Sequence, residues 1–254
     1  MPQHQTPPLR VCRDRAGSVS VRSLGTPRLG EREDPVILVP GLGAPGYLLR
    51  TLERCARSGP ARLLDVPGFG DPSGPVCPER LEPLADTVAR WLAAVPGKPV
   101  VLAGHSTGAQ VALHAAVRVP ERVRALVLLA PTFPPRLRRM RPLLAAFART
   151  AVRESPGVVP AVLPSYLRAG PRRLLTCVRS AQADAPEEVV AAVGCPVTVA
   201  FGAGDALCPA DWADDLAGRA GAGHAVRVPG AHAFPYPQPD VTARLLVRAR
   251  GGRS

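Results

Sequence analysis

Seven short, β-rich apolar runs alternate with longer stretches of helical spacing, and that alternation limits the fold class more than any other feature. The runs fall at 18–24, 35–39, 61–66, 99–103, 123–129, 196–201 and 224–228. Between them, helical patterns cover 47–57, 79–94, 110–117, 209–217 and 239–250. Units of this kind pack as a parallel sheet with helices on both faces. The expectation is an α/β fold: a mostly parallel central β-sheet flanked by helices. Turn chemistry marks the joins, as at Pro67-Gly68-Phe69-Gly70 and Pro229-Gly230. With 254 residues and 46% apolar content, the chain can fill one such domain.

One stretch breaks the alternation. From Phe133 to Glu188 no run reads as a strand, and helix-like pieces are separated by Pro142, Pro156, Pro160, Pro164 and Pro171. An insertion of this size predicts a helical cap, 133–188, over the carboxyl ends of the strands, where open α/β sheets bind ligands. The α/β core then comprises 1–132 and 189–254, with 1–8 and 251–254 read as frayed tails.

Several classes of function are disfavoured. The longest apolar run, 123–131, is interrupted by Arg124 and is too short for a transmembrane segment. Residues 1–10 have no apolar core of a secretory signal, so the expected location is cytoplasmic. The six cysteines form no Cys-x-x-Cys pair and do not cluster with histidines, so free thiols are expected and no metal site. The net charge of +12 is concentrated: between Phe133 and Ala183 there are ten arginines and one acid, Glu154. No recognition motif or aromatic stacking pattern accompanies that charge, which argues against nucleic acid as a partner. Monomer and homodimer are both compatible with the sequence.

The chemistry concentrates at Gly104-His105-Ser106-Thr107-Gly108, between the apolar run 99–103 and an alanine-rich helical stretch. A strand turning abruptly into a helix strains the residue at the turn. Glycines two positions either side leave room for the turn, so the Ser106 hydroxyl is presented as a nucleophile. A serine nucleophile needs a base and a group to orient it. Of five histidines, His4 lies in a tail, His105 adjoins the nucleophile, His114 sits along the following helix and His224 opens a strand. His232 instead follows strand 224–228 and the Pro229-Gly230 turn, at a strand's carboxyl end, and is the expected base. The run 197–201 ends in Gly202-Ala203-Gly204-Asp205, which puts Asp205 at the same edge as the orienting acid. One strand earlier the equivalent position reads Leu129-Ala130-Pro131-Thr132, with no carboxylate. Backbone N–H groups of Thr107 and of Leu42, in Pro40-Gly41-Leu42-Gly43, are the expected oxyanion donors.

The order Ser106, Asp205, His232, with Val39-Pro40-Gly41-Leu42-Gly43 before it and Asp65-Val66-Pro67-Gly68-Phe69-Gly70 in between, resembles the α/β-hydrolase superfamily over about 18–250. Many members carry histidine where this chain has Pro40, a departure that bears on the loop more than on the backbone donors. The resemblance implies hydrolysis of a carboxyl ester, thioester or amide through an acyl-enzyme, with no cofactor and no metal. Perhydrolysis and C–C bond hydrolysis use the same residues, and a non-catalytic ligand- or partner-binding protein could use the same scaffold. The expected partner is a small acyl substrate. Gly41, His105, Phe133, Phe147 and Tyr166 are candidate substrate contacts, although the three aromatics serve equally as packing of the cap itself. Arg136, Arg138, Arg139 and Arg141 would suit an anionic substrate, a carrier's phosphate-bearing arm or an acidic membrane surface; a solvated basic face is the plainer reading.

Overall fold

The computed structural model describes residues 9–29 and 33–251. His4 and most of the expected tails, 1–8 and 252–254, lie outside the described residues. Among the described residues, eight strands form one sheet in the order β1-β2-β4-β3-β5-β6-β7-β8. They are β1 (Arg10–Ala16), β2 (Val19–Gly25), β3 (Val36–Val39), β4 (Ala61–Leu64), β5 (Val100–His105), β6 (Val123–Leu129), β7 (Val197–Gly202) and β8 (Gly223–Val228). From β4 through β8 every neighbouring pair is parallel. The central strands β3 and β5 are buried at every position, which is why they read as unbroken apolar runs.

Strand β1 was not expected from its sequence. Arg10–Ala16 carries three arginines and an aspartate, and most of its side chains face solvent at the sheet edge. Backbone pairing with β2 across the Gly17 turn (φ 64°) forms it, so no apolar pattern is required. Asp14 is further held by Arg62 at 2.9 Å and by the Trp91 indole at 3.2 Å.

The helices that flank the sheet are α1 (Leu49–Arg57), α2 (Leu81–Ala94), α3 (Thr107–Arg118), α7 (Ala210–Arg219) and α8 (Pro239–Ala249). Between β6 and β7 lie α4 (Met140–Ala151), α5 (Val158–Gln182) and the short α6 (Pro186–Val189). The prolines of this segment interrupt it less than their number suggests. Pro142 and Pro160 occupy first turns, where no N–H is needed, and Pro164 is accommodated inside α5. Only Gly170 (φ 73°), followed by Pro171, breaks the helical dihedrals.

Strand order reverses around β3. The chain leaves β3 for β4 on one side, and β5 then takes the other side of β3. Right-handed crossovers send the loops after β3 and β5 to opposite faces, and the crevice between them is where such sheets bind ligands. Helix α5 lies across that crevice. Its Ala169 and Cys177 pack against Phe69 and Leu42, and the Ala161 carbonyl fills the space a side chain at Gly46 would need. The Ser180 hydroxyl accepts the Leu81 N–H at 2.9 Å, serving the start of α2, whose own residues supply no capping side chain.

Candidate active site

The turn from β5 into α3 bends so sharply that Ser106 adopts φ 57°, ψ −125°. Non-glycine residues rarely hold positive φ, and they do so where surrounding structure over-determines the strain. Here the flanking glycines do that. A Cβ on Gly104 would collide with the Gly108 carbonyl, and one on Gly108 would lie 2.5 Å from the Val39 carbonyl oxygen. A Cβ on Gly41 would meet Cβ of Ser106 at 2.9 Å. Glycine is therefore required on three sides of the serine.

The structure brings Ser106, His232 and Asp205 into one hydrogen-bonded chain. Ser106 Oγ lies 2.8 Å from His232 Nε2, and His232 Nδ1 lies 2.8 Å from Asp205 Oδ2. The second oxygen of Asp205 accepts the Leu207 N–H at 2.8 Å. Burial alone would favour a neutral Asp205, but His232 and the backbone donors outweigh it and hold the carboxyl below its ordinary pKa. Burial likewise disfavours the His232 imidazolium. The charges of Asp205 and Glu154 overcome that cost and raise its pKa above the usual histidine value. Such a chain can take a proton from the serine hydroxyl and stabilise the cation that results.

Around the serine, one of the two expected backbone donors is already engaged. The Leu42 N–H donates to Thr107 Oγ1 at 2.9 Å, and Leu42 itself sits at φ 45°, ψ 31°. Gly41 donates its N–H to the Tyr47 hydroxyl at 2.8 Å, and that hydroxyl contacts His105 Nδ1 at 2.7 Å. His105 Nε2 in turn lies 2.8 Å from the His232 carbonyl. The consistent tautomer has Tyr47 donating to Nδ1 and the protonated Nε2 donating to the carbonyl. Burial lowers the His105 pKa to about 3, so this ring stays neutral. His105 thus links the loop after β3 to the backbone of His232.

The other candidates divide. Phe133 packs with Leu137, Leu143, Ala146 and Leu207, among side chains of the β6–β7 segment and the loop after β7. Phe147 is 59% exposed on α4. Tyr166 is half-buried against the main core. None of the three lines the small crevice of about 20 Å³ beside Leu42 and Thr107, which Cys177 and Ala181 of α5 cover. His114 pairs with Asp184 at 2.9 Å, and His224 contacts Thr198 at 3.3 Å. Arg136 and Arg138 bind Asp211 and Glu187. All six cysteines are free thiols.

Two site residues were not anticipated. Tyr47 reads in sequence only as the start of a helix, and its partner His105 is 58 residues away. Glu154 lies between α4 and α5 and accepts the Ala233 N–H at 2.8 Å, one residue past His232. As the one acid in a run of arginines it stood out, but nothing local tied it to His232. Among the described residues, no group of histidine, cysteine or carboxylate side chains could hold a metal ion.

The sequence matches the alpha/beta hydrolase family over residues 36–245. Abhydrolase domain-containing protein abhd-5.2 of Caenorhabditis elegans is 33% identical over 103 residues, which is 38% of this chain and 23% of that protein. The match therefore spans less than a quarter of that relative's length. A serine hydrolase involved in carbazole degradation (CarC enzyme) superposes with a TM-score of 0.75 at 18% identity, covering 97% of this chain and all of that one. The 2-hydroxy-6-oxo-6-phenylhexa-2,4-dienoate hydrolase of Rhodococcus sp. strain RHA1 gives 0.69 at 17% identity, covering 95% and 99%. At such identities the structural likeness shows the fold, while the sequence match extends from β3 into the last helix. The chain belongs to the alpha/beta hydrolase family.

Proposed function

We propose that the protein is a serine hydrolase acting on a carboxyl ester, or on a thioester or amide, through an acyl-enzyme. The observation that carries this reading is the unbroken chain from Ser106 Oγ to His232 to Asp205, with both links at 2.8 Å, on an elbow of positive φ. Ser106 Oγ attacks the acyl carbon while its proton passes to His232 Nε2. The imidazolium returns that proton to the leaving alcohol, thiol or amine, and water then releases the acid by the same path. Asp205 orients the ring. The N–H groups of Thr107 and Leu42 receive the oxyanion, and for Leu42 this means exchanging Thr107 Oγ1 for the substrate oxygen. Residues 133–188 act as a cap, with Cys177 and Ala181 of α5 lining the crevice beside Leu42 and Thr107.

A fluorophosphonate probe tests the reading. Wild type becomes labelled and Ser106→Ala does not, and Ser106→Ala loses turnover of activated esters by about 10⁶-fold. Persistent labelling of Ser106→Ala would place the nucleophile elsewhere. An unlabelled, folded wild type that is silent over a panel of esters and thioesters would favour a binding protein on this scaffold.

A further inference from the structure

The exposed surfaces of α4 and α5 are unlike the rest of the described surface. Among the described residues, nine large hydrophobic side chains are exposed, and eight of them lie between Met140 and Leu175. Scattered singly, such residues would be unremarkable surface. Here they are ordered. On α4, Met140, Leu144 and Phe147 recur at intervals of four and three, along the flank of the helix beside the buried Leu143, Ala146 and Thr150. On α5, Val159, Leu163 and Leu167 recur at intervals of four, opposite the buried Ser165 and Ala169. Each helix therefore carries an exposed apolar stripe.

Charge accompanies the stripes. Exposed Arg139, Arg141 and Arg149 belong to α4 or its start, and exposed Arg168 and Arg172 to α5. None of these five pairs with a described carboxylate, although Arg136, Arg138 and Arg173 of the same segment do. The stretch 133–183 holds a balance of +9 in a chain of +12. Phe147 and Leu167 are 59% and 72% exposed, so they protrude instead of lining a groove. Anchor residues of a protein partner need pockets to fill or to occupy. Exposed apolar side chains on helices that also carry unpaired guanidinium groups fit a fluid apolar layer beneath anionic headgroups, with arginine stems reaching back to the phosphates.

We propose that the exposed stripes of α4 and α5 dock on an anionic lipid surface, apolar side chains inserted and arginines on the headgroups. No helix of the described residues is long and apolar enough to cross a membrane, so the contact is peripheral. The inference does not depend on Ser106 being a nucleophile, and Ser106→Ala should bind lipid like the wild type.

Sedimentation of the full chain with vesicles tests it, using phosphatidylcholine alone and phosphatidylcholine mixed with phosphatidylglycerol. The protein should sediment with the mixed vesicles and be released as salt rises. Replacing Arg139 and Arg141 by serine should weaken partitioning by about fivefold per arginine. Phe147→Ser with Leu167→Ser should abolish insertion at low salt without altering the thermal midpoint, since both side chains are exposed. Arg90→Ser and Arg219→Ser, remote charges of the same kind, should change binding little. Equal binding to neutral vesicles, or binding unaffected by the Phe147/Leu167 pair, would overturn the proposal. So would a concentration-dependent dimer that those two substitutions dissolve, because a second copy would then cover the face. Retention on an acidic polypeptide without any vesicle binding would assign the face to a protein partner instead.

Discussion

At the scale of single residues, the protonation of His232 governs the chemistry proposed for the site. Its pKa lies above the ordinary 6.5 because Asp205 and Glu154 outweigh the cost of burial. Only the neutral ring can accept the serine proton. Activity should therefore be complete above the raised value and fall away as pH drops through it, giving an acid limb in kcat/KM centred above 6.5. Glu154→Gln retains an oxygen for the Ala233 N–H but removes the charge. The limb should then move to lower pH while the plateau is kept; an unmoved limb would show that Glu154 acts on the backbone alone. Tyr47 makes a second residue-scale case. Tyr47→Phe leaves the Gly41 N–H and His105 Nδ1 without their shared buried partner, a loss of roughly 1–3 kcal/mol. Urea unfolding should show a lower midpoint at constant slope. Neither residue was legible in sequence, because each contact joins positions far apart in the chain.

At the scale of elements, the strands β3 to β7 and the helices that follow them were readable because burial on both faces leaves continuous apolar runs. Strand β1 was not, since an edge strand held by backbone pairing needs no such run. The arginine-rich segment was legible as helical but not as two long helices, because a proline in a first turn costs nothing and looks the same in sequence as one that breaks a helix. The seating of α5 was equally hidden. Gly46 reads as an ordinary loop glycine, yet the Ala161 carbonyl occupies its side-chain space. Gly46→Ala should lift α5 from the crevice, changing KM and acyl-chain preference more than it changes kcat. A variant with unchanged selectivity would show that α5 does not bound the substrate site.

Over the whole molecule, local pattern determined the α/β class, the position of the sharp strand-to-helix turn at Ser106 and the strand ends that carry Asp205 and His232. These follow from periodicity and turn chemistry, which act between neighbours in the chain. Tertiary structure alone decided the rest: the linkage of Ser106, His232 and Asp205, 126 and 27 residues apart, at hydrogen-bond distance; the engagement of Leu42 by Thr107, 65 residues away; and the outward turn of Phe147 on α4. A residue's solvent or partner depends on which face its element buries and on what packs against that face. Apolar stripes on α4 and α5 would look the same in sequence whether they met the sheet or the solvent. Folding turns them outward, because the small residues Ala146, Ser165 and Ala169, with Leu143, already face inward.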